Sequence, residues 1–99
     1  MEMSGEPEIE IIELHLIPGD GVLRAFVSVR LDHLVTHEWR ILKKNGQPVQ
    51  VVPPMASWRD RDGVIRYKAL LSLPPELKQR VSVAILSRWE KEKNGPAKE

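Results

Sequence analysis

Cysteine is absent from these 99 residues, so disulfides, thiolate metal sites and a cysteine nucleophile are excluded. No apolar run is long enough to cross a bilayer, and no glycine-rich phosphate loop exists. Met1 to Gly5 leads into glutamates with no basic-then-apolar leader, so the expectation is a soluble, cytoplasmic chain with no membrane partner. Lys and Arg are missing from residues 1–23, which carry six acids, whereas residues 24–99 carry all 15 bases against eight acids. The net charge of +1 therefore conceals a basic body. Such an excess suits a polyanion-binding face, or simply keeps a small domain soluble.

What is present is strand alternation, clearest in GVLRAFVSVRLDHLVTHEWRIL, residues 21–42. Leu23, Ala25, Val27, Val29 and Leu31 share one face of a first strand. In a second, Val35, Trp39 and Ile41 share a face with His37, and Thr36, Glu38 and Arg40 lie opposite. Joining the two apolar sets requires an even sum of paired positions. A three-residue loop, Asp32-His33-Leu34, meets that requirement: Val27 falls opposite Trp39, Ala25 opposite Ile41, Val29 opposite His37 and Ser28 opposite Glu38. Asp32 or His33 must then supply a left-handed backbone conformation.

One domain is expected over residues 8–90, between a flexible tail at 1–7 and a flexible charged tail at 91–99. Residues 8–17 read as a strand whose alternation changes phase near Ile11-Ile12, the mark of a bulge or of cover on both faces. Pro18-Gly19-Asp20-Gly21 and Lys43-Lys44-Asn45-Gly46 read as turns. A short strand at 47–52 ends at Pro53-Pro54, an irregular connection runs through Met55–Trp58 to Asp62-Gly63, and a last strand occupies 64–71. A helix begins at Pro75 and runs to about Glu90, with Leu77, Val81, Ala84, Ile85 and Trp89 on its core stripe. The fold class is α+β: a five-stranded antiparallel meander with one C-terminal α-helix. Val83 and Leu86 lie outside the stripe and mark a homodimer interface.

Catalytic chemistry finds no support. His33 and His37 have a spacing that serves metals on a helix, but the local pattern is a strand, and His37 reads as a core-edge imidazole hydrogen-bonded to a neighbour. No serine, Ser28 included, has a sharp elbow or a paired base. Asp60 and Asp62, alternating with Arg59 and Arg61, read as a solvated turn. Binding chemistry is better supplied: Arg59, Arg61, Arg66, Lys68, Lys78 and Arg80 lie in consecutive segments and suit phosphate. Among three tryptophans, Trp39 and Trp89 read as core, and Trp58, beside Arg59, is the one placed to stack on a base.

The run LRAFVSVRLDHLVTHEWRIL, followed by NGQPVQVVPPMASWRDRDGVIRY, resembles the SpoVG family, the stage V sporulation or septation proteins G. The likeness extends from Ile9 to about Trp89. It rests on Leu31-Asp32-His33, His37-Glu38-Trp39-Arg40, and Pro54-Met55 with Asp62-Gly63. The resemblance implies a small antiparallel sheet with a C-terminal helix. It also implies a homodimer that binds DNA, in some members RNA, and regulates septation or sporulation, with no cofactor and no small-molecule substrate. The family's basic stretch at the start of the helix is replaced here by Leu73-Pro74-Pro75-Glu76, leaving Arg66, Lys68, Lys78 and Arg80 as the nearest bases. The alternative is a cell-division module that binds protein through a sheet edge.

Overall fold

The computed structural model describes residues 7–93; the outer parts of both expected tails, 1–6 and 94–99, lie outside the described residues. The elements are β1 (Ile9–Leu16), β2 (Leu23–Leu31), β3 (Leu34–Leu42), β4 (Gln50–Val52), β5 (Met55–Arg59), β6 (Ile65–Ala69) and α1 (Pro75–Lys93). The fold is α+β with antiparallel sheets and one C-terminal helix. The expected single meander of five strands is replaced by a four-stranded sheet in the order β1-β2-β3-β4 and a separate pair, β5-β6.

Two local features explain that division. A turn with Gln47 N–H donating to Lys44 O at 3.1 Å, and Gly46 at φ 75°, reverses the chain after β3. Pro48 then cannot donate to a ladder, so β4 starts only at Gln50. Pro53-Pro54 ends it, and Met55–Arg59, expected to be irregular, is a strand that pairs locally with β6. Asp60 organises the tip between them. Its carbonyl accepts from Gly63 N–H at 3.0 Å, and its Oδ1 accepts from the amides of Asp62 and Val64 at 2.9 and 3.0 Å. Gly63, at φ 81°, takes the left-handed position that such a turn requires.

The β2–β3 pairing corrects the expected register near its tip. Val27 does face Trp39, and Ala25 faces Ile41, but Leu31 pairs with Leu34 across a two-residue turn, Asp32-His33, and Val29 pairs with Thr36. An odd sum at the turn becomes an even sum further on because one extra residue of β3 is inserted: His37 and Glu38 together oppose Ser28. Glu38 bears the bulge at φ 68°, and Asp32 takes the left-handed turn position at φ 55°. The bulge moves Thr36 inside and leaves Val35 outside, the reverse of simple alternation. Thr36 brings its own solution for a buried hydroxyl: Oγ1 donates to Val29 O at 2.9 Å and accepts from Trp39 Nε1 at 2.8 Å. The phase change in β1 is likewise a bulge, between Ile11 and Glu13, with Ile9, Ile11 and Leu14 turned toward the core.

Helix α1 crosses the inner sheet face. Pro74 accepts the first helical hydrogen bond from Lys78 N–H at 2.9 Å, and Pro75 occupies the first turn, where its missing N–H costs nothing. Val81, Ile85 and Trp89, spaced by four, are buried against Ala25, Val27, Val29, Leu31, Trp39 and Ile41. The helix reaches Lys93, three residues beyond the expected end. Leu86 also departs from expectation, being partly buried against the core flank, whereas Val83 is 58% exposed. Among the described residues no helix is long and apolar enough to cross a membrane.

Candidate nucleic-acid interface

Four of the six sequence-selected cations share one element, the β5–β6 hairpin. Arg59 ends β5, Arg61 lies in the turn, and Arg66 and Lys68 alternate along β6; all four are exposed. Cross-strand register places Trp58 opposite Arg66 and Ala56 opposite Lys68. Side chains alternate along both strands, so Ala56, Trp58, Arg66 and Lys68 share one face. Trp58 is 48% exposed, and of the three indoles it is the one outside the core. The opposite face carries Met55, Ser57 and Tyr67, which line a cleft of about 340 Å³ together with Arg40, Leu42 and Val52 of the sheet.

Not every cation on the hairpin is available to a ligand. Arg66 Nε donates to Asp60 Oδ2 at 2.8 Å, and Arg59 Nη1 donates to Gly63 O at 2.9 Å, so both help hold the turn. The Arg66 hydrogen bond, aided by the Val64 and Asp62 amides, holds the Asp60 carboxyl below its ordinary pKa. Arg61 and Lys68 have no such engagement among the described residues.

The two helix cations do not join this cluster as one face. Arg80 Nη2 donates to Pro7 O at 3.3 Å, and Arg80 lines a groove with Ile9 at the β1 edge. The hairpin instead leaves from β4, at the other edge of the sheet. Lys78 is exposed in the first turns of the helix. Val83 lies in the same groove as Arg80.

The acidic first third is not segregated either. Glu10 pairs with Arg30 across β1 and β2, with Arg30 Nε donating to Glu10 Oε1 at 2.9 Å, and this partner raises the guanidinium pKa further. Part of the basic excess is thereby neutralised within the sheet.

The outer sheet face holds one arrangement that sequence reasoning missed. The β3 bulge brings exposed His37 beside Ser28, and His37 Nδ1 and Ser28 Oγ share a hydrogen bond of 2.9 Å. Ser28 thus has the histidine partner that the sequence reading denied it, but it lies mid-strand rather than on a sharp elbow. His37 has its hydrogen-bonded neighbour but is not at the core edge. Both residues line a shallow groove of about 420 Å³ with Phe26 and Arg40, whose guanidinium carbon lies 5.7 Å from the Phe26 ring centroid. Among the described residues no group of three or more His, Cys, Asp and Glu is placed to hold a metal ion. Tyr67, 64% exposed, was also missed, although its position between Arg66 and Lys68 on a strand was the available signal.

No protein-family model matches the chain, and no curated protein matches it.

Proposed function

We propose that this protein is a cytoplasmic, dimeric nucleic-acid-binding regulator of the SpoVG kind, acting on DNA or RNA in septation- or sporulation-type control. It is a binding protein rather than an enzyme and uses no cofactor. One observation carries the reading: an exposed indole, Trp58, shares a hairpin face with Arg66 and Lys68, and Arg59 and Arg61 flank the same tip. Cations provide the sequence-independent attraction to phosphate, and the aromatic provides contact with bases. The resemblance of residues 9–89 to the family adds to it. Because the hairpin rather than the helix start concentrates the charge, Arg59, Arg61, Arg66 and Lys68 form the principal site, with Lys78 and Arg80 secondary.

Titration of labelled DNA and RNA at several salt concentrations tests this. If the two hairpin cations that hold no turn contact, Arg61 and Lys68, each meet a phosphate, the logarithm of affinity falls with the logarithm of salt with a slope of roughly −1.5 to −2. Replacing all four by Ala should flatten that slope and weaken every sequence alike. Absence of saturable binding to either polymer would end the reading.

A second reading, the protein-binding module of cell division, draws on β1. This edge strand of the four-stranded sheet exposes Ile12 at 44% and Leu16 at 42%. Dimerisation through Val83 is tested by sedimentation equilibrium: Val83→Asp should yield a folded monomer. Leu86→Asp should instead lower stability, because Leu86 packs on the core flank.

A further inference from the structure

We propose that the outward face of the β5–β6 hairpin is a platform for single-stranded rather than duplex nucleic acid, with Trp58 stacking on an unpaired base and Lys68 and Arg61 holding neighbouring phosphates. This rests on the nucleic-acid reading above and goes beyond it by naming the state of the polymer.

Three features of the hairpin carry it. The first is what surrounds the indole. Along the paired strands Trp58 shares its face with Ala56, Arg66 and Lys68, and the indole is 48% exposed. A half-exposed indole between two cations is a poor use of apolar area in a folded monomer, whereas a base has a π-face that would cover it.

The second feature is the division of labour among the cations. Asp60 holds the Arg66 guanidinium, so Arg66 is a fixed wall beside the indole. Lys68 and Arg61 carry no ion pair among the described residues and remain to meet phosphates. The ring and the charges thus offer an alternation of stacking and phosphate contact that suits an extended strand.

The third feature argues against a duplex. A two-stranded ribbon can enter a major groove, but it reads base edges with side chains that donate and accept hydrogen bonds. Here two of the four positions on the face are an indole and a methyl group, and of its two cations Arg66 is held by Asp60. Asp60 and Asp62 at the tip would also have to pass between two phosphate backbones. In a duplex the base faces are already stacked on one another and are closed to Trp58. The other face of the hairpin borders the cleft beside Arg40 and Leu42 and carries no cation of β6, so the Trp58 face is the one that joins an indole to both β6 cations.

The test uses the full chain with fluorescein-labelled oligothymidylate and oligouridylate of about 15 nucleotides, and a mixed-sequence duplex of the same length. Anisotropy gives affinity, and quenching of intrinsic fluorescence on binding that is lost in Trp58→Phe reports Trp58, because Trp39 and Trp89, at 0% and 6% exposed, are out of a ligand's reach. The expected result is tighter binding of single strands than of duplex, with indole quenching on binding. Trp58→Ala should weaken single-strand binding about tenfold without changing the salt slope, and Trp58→Phe should recover most of the loss. Lys68→Ala with Arg61→Ala should instead reduce the slope. Urea unfolding of each variant verifies that the exposed substitutions leave the fold intact. Salt-dependent duplex binding with a Trp58→Ala variant indistinguishable from the native chain would overturn the platform and leave the nucleic-acid reading standing. No binding to any of the three polymers would overturn both.

Discussion

The β3 bulge makes a prediction that separates the observed register from simple alternation. In the structure Thr36 is inside, 9% exposed, and its hydroxyl serves two buried groups, the Trp39 indole N–H and the Val29 carbonyl. Val35, its neighbour, is 42% exposed and lies directly opposite Arg30. Thr36→Val keeps the shape but removes both hydrogen bonds and strands an indole donor on a residue that is 0% exposed. Leaving a buried donor unsatisfied costs about 1–3 kcal/mol, and the carbonyl loses a partner as well; the added methyl group offsets part of this. The expected net loss is about 2–3 kcal/mol. For a domain of this size that lowers Tm by roughly 8–24 °C. Val35→Asp should cost no more than about 0.5 kcal/mol, because it replaces an exposed side chain and faces a cation across the strand. Urea unfolding at a fixed protomer concentration measures both, and equal m-values establish that the same transition is being compared. Strict alternation from Trp39 back to Val35 demands the opposite ranking. If Val35→Asp were the more damaging substitution, the bulge and the register built on it would be wrong.

Two further predictions concern backbone strain and protons. Glu38 holds φ 68° without glycine, a conformation that costs an ordinary residue about 1–2 kcal/mol, so Glu38→Gly should raise stability by roughly 1 kcal/mol after glycine's extra entropy is counted. A clear loss in urea unfolding would mean that the Glu38 side chain has a stabilising partner in the outer groove. Asp60 has a depressed pKa in the folded state, so its contribution is complete above the ordinary carboxylate value of about 3.9 and is lost as pH falls through the folded value. The stability difference between the native chain and Asp60→Asn should accordingly be constant near neutrality and shrink below about pH 4. A difference that stays unchanged into strong acid would show that the Arg66 pair is not its source.

Alternation, turn chemistry and helix periodicity are local properties of the chain, and whatever rests on them was legible in the sequence. Val27 opposite Trp39, the phase change near Ile11-Ile12, the turns at Gly19 and Gly46, and the helix start at Pro75 all follow from neighbours within a few residues. So did the choice of Trp58 as the exposed indole, since a tryptophan set beside Arg59 and Asp60 belongs to no apolar stripe. Only the tertiary structure decided how turn and sheet are reconciled. A two-residue turn and an even-sum core are incompatible in sequence arithmetic, and a single left-handed residue, Glu38, makes them compatible in space. The same holds for the division of the sheet. Pro53-Pro54 announced a break, but whether the chain resumed in the old sheet depended on whether Asp60 could close a hairpin with its own side chain. That closure gathers four cations onto one element, while Arg80, close in sequence, is carried by the helix to the opposite sheet edge. Proximity along the chain sets which residues meet in a turn, but a helix crossing a sheet separates near neighbours, because burial of Val81, Ile85 and Trp89 fixes its direction.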